Sequence, residues 1–129
     1  GDGISNINLK KLEKFHIKHN KLVTVTAVRP PARFGEIILK DTKVISFKEK
    51  PQTANDWING GYFILEPDVF DYVEGDSTVW EKEPVENLSQ KNQLSAYRHS
   101  GFWQPLDTLR DKNKLEQLWS DGNPPWKVW

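Results

Sequence analysis

Leu22-Val23-Thr24-Val25-Thr26-Ala27-Val28, followed at once by Arg29-Pro30-Pro31, is the stretch on which the fold class turns. The run is nearly continuous in apolar and β-branched residues and lacks the alternation of a half-solvated strand. That is the pattern of a strand buried on both faces. Such a strand needs other elements packed above and below it. The prolines end it, because proline has no N–H to give to a ladder.

Upstream, Asn8 or Asn6 can cap a helix reaching about His19. Leu9, Leu12, Phe15 and His16 fall on one face, with Lys10, Lys11, Glu13, Lys14 and Lys18 opposite. Downstream, Phe34–Leu39 and Val44–Phe47 flank the polar Lys40-Asp41-Thr42-Lys43, which reads as a hairpin ended by Glu49-Lys50-Pro51. Ile58–Leu65 is a further strand. Pro67 starts a short helix over Asp68–Val73. Another helix begins at Glu83 or Pro84 and runs to about Lys91, and Leu94–His99 is a last strand. Thr108–Trp119 is a helix with Leu109, Leu115 and Leu118 or Trp119 inward and Gly122 as its stop. Helices alternate with strands around one inserted hairpin, so the expectation is an α/β domain with a mixed sheet. No linker is long enough to divide the chain.

Composition removes several classes of function. Lys plus Arg equals Asp plus Glu at 18 each, which gives no general attraction to nucleic acid or an anionic membrane. Any phosphate chemistry must rest on local charges. The absence of cysteine excludes a disulfide framework, a thiolate metal site and a thiol nucleophile, and fits a reducing compartment. No apolar run approaches the roughly 18 residues of a membrane span. No basic segment followed by an apolar one marks a signal peptide. The six tryptophans at 57, 80, 103, 119, 126 and 129 are core and loop anchors on the plain reading, and stacking surfaces for a sugar or base on the functional one. The tail Asn123–Trp129 is expected to be non-helical and to dock by its rings.

The common catalytic constellations are missing. His16 and His19 have a metal-compatible spacing but no third nitrogen ligand, and read as a solvated or half-buried helix face. There is no GxSxG elbow and no P-loop. Three stretches remain unusual. Phe47-Lys48-Glu49-Lys50-Pro51 puts a Glu and a Lys where a strand stops, the place where open α/β sheets bind ligands. Lys50 can hold a phosphate there and Glu49 can accept from sugar hydroxyls. Ile58-Asn59-Gly60-Gly61-Tyr62 places two glycines inside a strand, which calls for either a bulge or close approach of a ligand to the backbone. Gly101-Phe102-Trp103-Gln104-Pro105-Leu106-Asp107-Thr108-Leu109-Arg110 sets Asp107 just before a helix, as an N-cap or as a metal carboxylate.

Together with Gly1-Asp2-Gly3, PPARFG at 30–35, TVWEKEP at 78–84 and PPWKVW at 124–129, these stretches resemble the C-terminal half of the sugar-phosphate nucleotidyltransferases, and within them the cytidylyltransferases that use glucose 1-phosphate. The resemblance covers essentially the whole chain. It implies a three-layer nucleotide-diphospho-sugar transferase-like fold in which residues 1–129 form the sugar-phosphate-binding and metal-binding portion. The Gly-Asp-Gly turn then lies mid-sequence in the parent, with the nucleotide-binding half upstream, and the lack of any methionine, position 1 included, agrees with that. The implied reaction joins glucose 1-phosphate to CTP, giving CDP-glucose and pyrophosphate, with Mg²⁺ held by Asp2 and Asp107. Lys50 would bind the sugar phosphate, Glu49 the glucose hydroxyls, Gly35 and Gly61 would admit the sugar to the backbone, and Asn59 would hydrogen-bond it. Trp103 would shape the pocket near Asp107, while Arg33, Arg110, Glu81 and Glu83 carry no assigned role. The resemblance further implies a cytoplasmic homo-oligomer, with no nucleic-acid or membrane partner, and a 129-residue piece that is inactive alone. The competing expectation is a non-catalytic, tryptophan-rich carbohydrate-binding or oligomerisation module.

Overall fold

A computed structural model describes residues 3–30, 36–48 and 57–129. Its centre is the strand expected at the outset. β2 (Val23–Val28) lies between β5 (Ile58–Leu65), antiparallel to it, and β6 (Leu94–His99), parallel to it, so the sheet is mixed. Val23, Thr24, Thr26 and Val28 are buried, which is why the run carries no polar alternation.

Helices cover both faces. α1 (Leu9–His19) is capped by Asn8, whose side chain accepts from the Lys11 N–H. It ends at Asn20, which takes the left-handed conformation (φ 51°) that a C-terminal cap requires. Leu12 and His16 are its buried residues, and Phe15 meets Tyr97 of β6 edge-on. Leu9, expected on the apolar face, is exposed, because it lies in the first turn, ahead of the packed part of the helix. On the other face, a 3₁₀ turn (Pro67–Tyr72) and α2 (Glu83–Gln90) bring Val69 and Leu88 onto Val23, with Phe63, Trp80 and Leu94 around them. The expected Asp68–Val73 helix is thus a 3₁₀ turn that begins on Pro67 itself.

β3 (Glu36–Lys40) and β4 (Lys43–Lys48) pair antiparallel as a separate ribbon, turning at Asp41 with φ 53°. Ile37, Ile38, Val44 and Ile45 of this ribbon are exposed. Two strands were not foreseen. β1 (Gly3–Ser5) pairs antiparallel with β7 (Trp103–Pro105), placing Gly3 opposite Pro105 and Ser5 opposite Trp103. Strands of only three residues, Gly-Ile-Ser and Trp-Gln-Pro, are too short to show a hydrophobic period, and their partners lie some hundred residues apart.

α3 (Leu109–Ser120) follows directly and stops before Gly122, which has φ 88°. Leu115 faces inward as expected, whereas Leu109 is 70% exposed and does not. The tail docks only in part. Trp126 stacks on Trp119 and approaches Phe102, but Trp129 is 81% exposed. Among the described residues no helix is long and apolar enough to cross a membrane.

Candidate functional site

The site is built where the β1–β7 ribbon meets an irregularity in β5. Val25 pairs with Phe63 but Ala27 pairs with Asn59, so residues 60–62 bulge out of the ladder. The two glycines serve different needs. A Cβ on Gly60 would lie 2.9 Å from Val28 Cγ1 and 3.0 Å from the Thr26 carbonyl oxygen. Gly61 has φ 84° and open space above it. The sequence left bulge and ligand approach as alternatives; the bulge is present, and the backbone at Gly61 is open to solvent.

Two hydrogen bonds tie this bulge to the ribbon. Tyr62 Oη donates to the Gly3 carbonyl at 3.0 Å, and Trp103 Nε1 donates to the Gly60 carbonyl at 3.0 Å. The indole lies so close to β1 that a Cβ on Gly3 would come 2.8 Å from its Nε1. Trp103, expected to shape a pocket wall near Asp107, therefore clamps Gly3 and the bulge. Behind it, the Phe102 carbonyl accepts from the Ser5 hydroxyl at 2.9 Å and from the Asn6 N–H at 3.2 Å. β1 is thereby fixed to the segment leading into Asp107.

Asn59 Oδ1 accepts from the Gly61 N–H at 2.8 Å, and its Nδ2 donates to Glu81. A carboxamide oxygen has a second lone pair and its nitrogen a second hydrogen, so the pair retains capacity for hydroxyl groups. Both residues line a cleft of about 430 Å³ whose walls include Val25, Ala27, Trp57 and Val85. Trp57, one of its walls, is faced by two guanidinium groups: Arg29 lies 4.5 Å and Arg98 5.7 Å from its ring centroid. Glu83 is elsewhere, beside Glu74 and Lys82.

Asp107 lies exposed between β7 and α3. It is not the N-cap of α3. Thr108 is, its Oγ1 accepting from the Asp111 N–H at 3.1 Å while Asp111 Oδ2 accepts from the Thr108 N–H at 3.2 Å, a capping box. The sequence pattern Thr108-x-x-Asp111 carried that signal. Asp111 does more than cap. Its Oδ2 also accepts from the Asp107 N–H at 3.1 Å, and its Oδ1 from Gln104 Nε2 at 3.1 Å. Sequence reading singled out neither Gln104 nor Asp111, nor Tyr62.

Asp2, Gly35, Glu49 and Lys50, together with Arg33, lie outside the described residues. Among the described residues no group of three or more His, Cys, Asp and Glu side chains is arranged to hold a metal. His16, half of the histidine pair, is a core residue at 4% exposure and not a solvated one. It stands 2.7 Å from Thr24 Oγ1 and 2.7 Å from Glu66 Oε1. A carboxylate can only accept, so Nε2–H donates to Glu66 and Nδ1 meets the threonine hydroxyl.

Residues 1–121 match the family described as Nucleotidyl transferase. The chain belongs to this family. It is 48% identical over 129 residues to a glucose-1-phosphate cytidylyltransferase of Salmonella typhimurium, covering 100% of this chain and 50% of the relative. It is 33% identical over 114 residues to a mannose-1-phosphate guanylyltransferase catalytic subunit beta of Drosophila melanogaster, covering 85% of this chain and 31% of the relative. The chain thus spans about half the length of the cytidylyltransferase it matches. Its fold is similar to that of a Bacillus anthracis protein described as a candidate glucose-1-phosphate thymidylyltransferase and crystallised with sucrose. The TM-score is 0.62 at 18% identity, over 95% of this chain and 53% of that one. The α/β class with a mixed sheet agrees with that likeness.

Proposed function

We propose that this chain is the sugar-phosphate- and metal-binding part of a cytidylyltransferase acting on glucose 1-phosphate. An oxygen of the sugar phosphate attacks the α-phosphorus of CTP. The bond from that phosphorus to the bridging oxygen of the β-phosphate breaks, CDP-glucose forms and pyrophosphate leaves. No covalent nucleophile on the protein is needed. Two polyanions must meet, so neutralising charge is the main requirement.

The observation that carries this reading is the β1–β7 ladder. By pairing Gly3 with Pro105, it brings together chain segments that otherwise lie at opposite ends of the sequence. Asp2 precedes Gly3 directly, and Asp107 follows Pro105 by two residues. Two carboxylates offer the hard oxygen ligands that Mg²⁺ takes, and a register fixed by Tyr62 and Trp103 suits a divalent site shared between strands. Bound Mg²⁺ would supply charge neutralisation and orientation of the phosphates. Lys50 would hold the phosphate of the sugar ester and Glu49 the glucose hydroxyls. Asn59 and Glu81, already joined in the cleft, would add polar contacts to the sugar, and Gly61 would leave its backbone approachable. The same reading places the parent in the cytoplasm as a homo-oligomer and leaves base recognition to residues outside this chain.

The test is Lys50→Ala in the full-length protein. Losing a charge-assisted contact of about 3 kcal/mol would raise the KM for glucose 1-phosphate roughly 100-fold. The circular dichroism spectrum and the KM for CTP would stay within about twofold of wild type. An unchanged KM for the sugar phosphate refutes the assignment. The 129-residue chain alone is expected to make no CDP-glucose, and product formation by it would refute the division of labour proposed here.

A further inference from the structure

We infer that Asp111, held by Gln104, is a positioning residue that aims the Asp107 segment at the metal; this rests on the reading of Asp107 as a metal ligand. An ordinary capping box would need only the reciprocal bonds between Asp111 and Thr108. Here the Asp111 carboxylate is 7% exposed and accepts from three donors: Gln104 Nε2, the Asp107 N–H and the Thr108 N–H. The bond to the Asp107 N–H fixes the peptide of the residue whose side chain is to reach the cation. The bond to Gln104 ties that peptide to the ladder, since Gln104 pairs with Ile4.

The orientation of Gln104 follows from its surroundings. Its amide faces two oxygens, the Pro105 carbonyl at 3.2 Å and Asp111 Oδ1 at 3.1 Å. Oxygens only accept, so the nitrogen must point at them. That leaves Gln104 Oε1 turned the other way, in a residue 2% exposed, with no donor among the described residues. A buried amide oxygen without a donor is a cost to folding. The chain tolerates this at a residue that links the β1–β7 ladder to the carboxylate holding Asp107. Outer groups that orient a metal ligand typically change metal affinity 10–100-fold when altered.

The experiment uses the full-length protein and four forms: wild type, Asp107→Asn, Asp111→Asn and Thr108→Ala. Mn²⁺ binding to the protein without nucleotide, which would itself chelate the ion, is read from the free Mn²⁺ signal in electron paramagnetic resonance, and melting temperature is measured alongside. Asp111→Asn keeps the shape but sets an amide N–H against either Gln104 Nε2 or the two backbone donors. It is expected to weaken Mn²⁺ binding at least tenfold. Thr108→Ala removes the Oγ1 cap and leaves the carboxylate's acceptor bonds in place, so it should lower the melting temperature while leaving Mn²⁺ affinity within twofold. If Asp111→Asn changes Mn²⁺ affinity no more than Thr108→Ala does, while Asp107→Asn abolishes binding, the positioning role is wrong and the metal assignment stands. If Asp107→Asn binds Mn²⁺ like wild type, the metal assignment itself fails and the positioning role with it.

Discussion

Replacing Gly3 by Ala tests how tightly the first strand is clamped. The new Cβ would lie 2.8 Å from Trp103 Nε1, 3.2 Å from Cε2 and 3.3 Å from Cζ2, all inside ordinary van der Waals contact. The indole cannot retreat without stretching its 3.0 Å bond to the Gly60 carbonyl. Overpacking of this kind costs about 1–3 kcal/mol. Weakening the hydrogen bond adds about 1 kcal/mol, so Gly3→Ala should destabilise by about 2–4 kcal/mol. Trp103→Ala loses the N–H donor and the whole ring, at a cost of about 3–5 kcal/mol. Alanine at position 103 has no atoms where Nε1, Cε2 and Cζ2 stood, so the methyl of Gly3→Ala then has room. The double variant should therefore be about 1.5–2 kcal/mol more stable than the sum of the single changes predicts. Urea denaturation of the four forms, followed by circular dichroism at about 222 nm to avoid the changed fluorophore, completes the cycle. Additivity within about 0.5 kcal/mol would mean that Trp103 does not hold Gly3 in place, and the clamp would have to be abandoned.

Two further outcomes follow from the packing. His16→Ala removes the partner of the fully buried Thr24 hydroxyl and leaves a cavity, and should cost about 3–4 kcal/mol in denaturant titration. Thr24→Val in that background should return about 1 kcal/mol by removing the stranded hydroxyl, and a further loss would contradict the role given to this bond. Gly60→Ala and Gly61→Ala should differ although the residues adjoin: the first meets Val28 and the Thr26 carbonyl, while the second meets only the cost of a positive φ. Gly61→Asn should then be tolerated better than Gly61→Ala, since asparagine adopts this backbone more readily; equal melting temperatures for the two Gly61 variants would argue against it.

The sequence by itself determined the elements that carry their own period or punctuation. The β-branched run at 22–28, the Asn8 cap, Pro67, and the stop at Gly122 each act through neighbours within a turn or two, so their signals are local. It also carried the family motifs, and with them the three stretches in which function was sought. The reach of particular side chains was decided by tertiary structure alone. His16 stood on the apolar side of its helix by period and in a solvated or half-buried pair by spacing, and burial against Thr24 and Glu66 made it a core residue. Asp107 looked like a helix cap, and Thr108 with Asp111 took that place. Leu109 looked inward by period, yet in the first turn of α3 it is Asp111 that is buried and Leu109 that faces outward. Above all, Gly3–Ser5 and Trp103–Pro105 have no pattern of their own. Their pairing is held by the bond Tyr62 brings from β5 and by bonds that Trp103 and Ser5 make beyond the ladder, and a long-range ladder of three residues leaves no local trace in composition or periodicity.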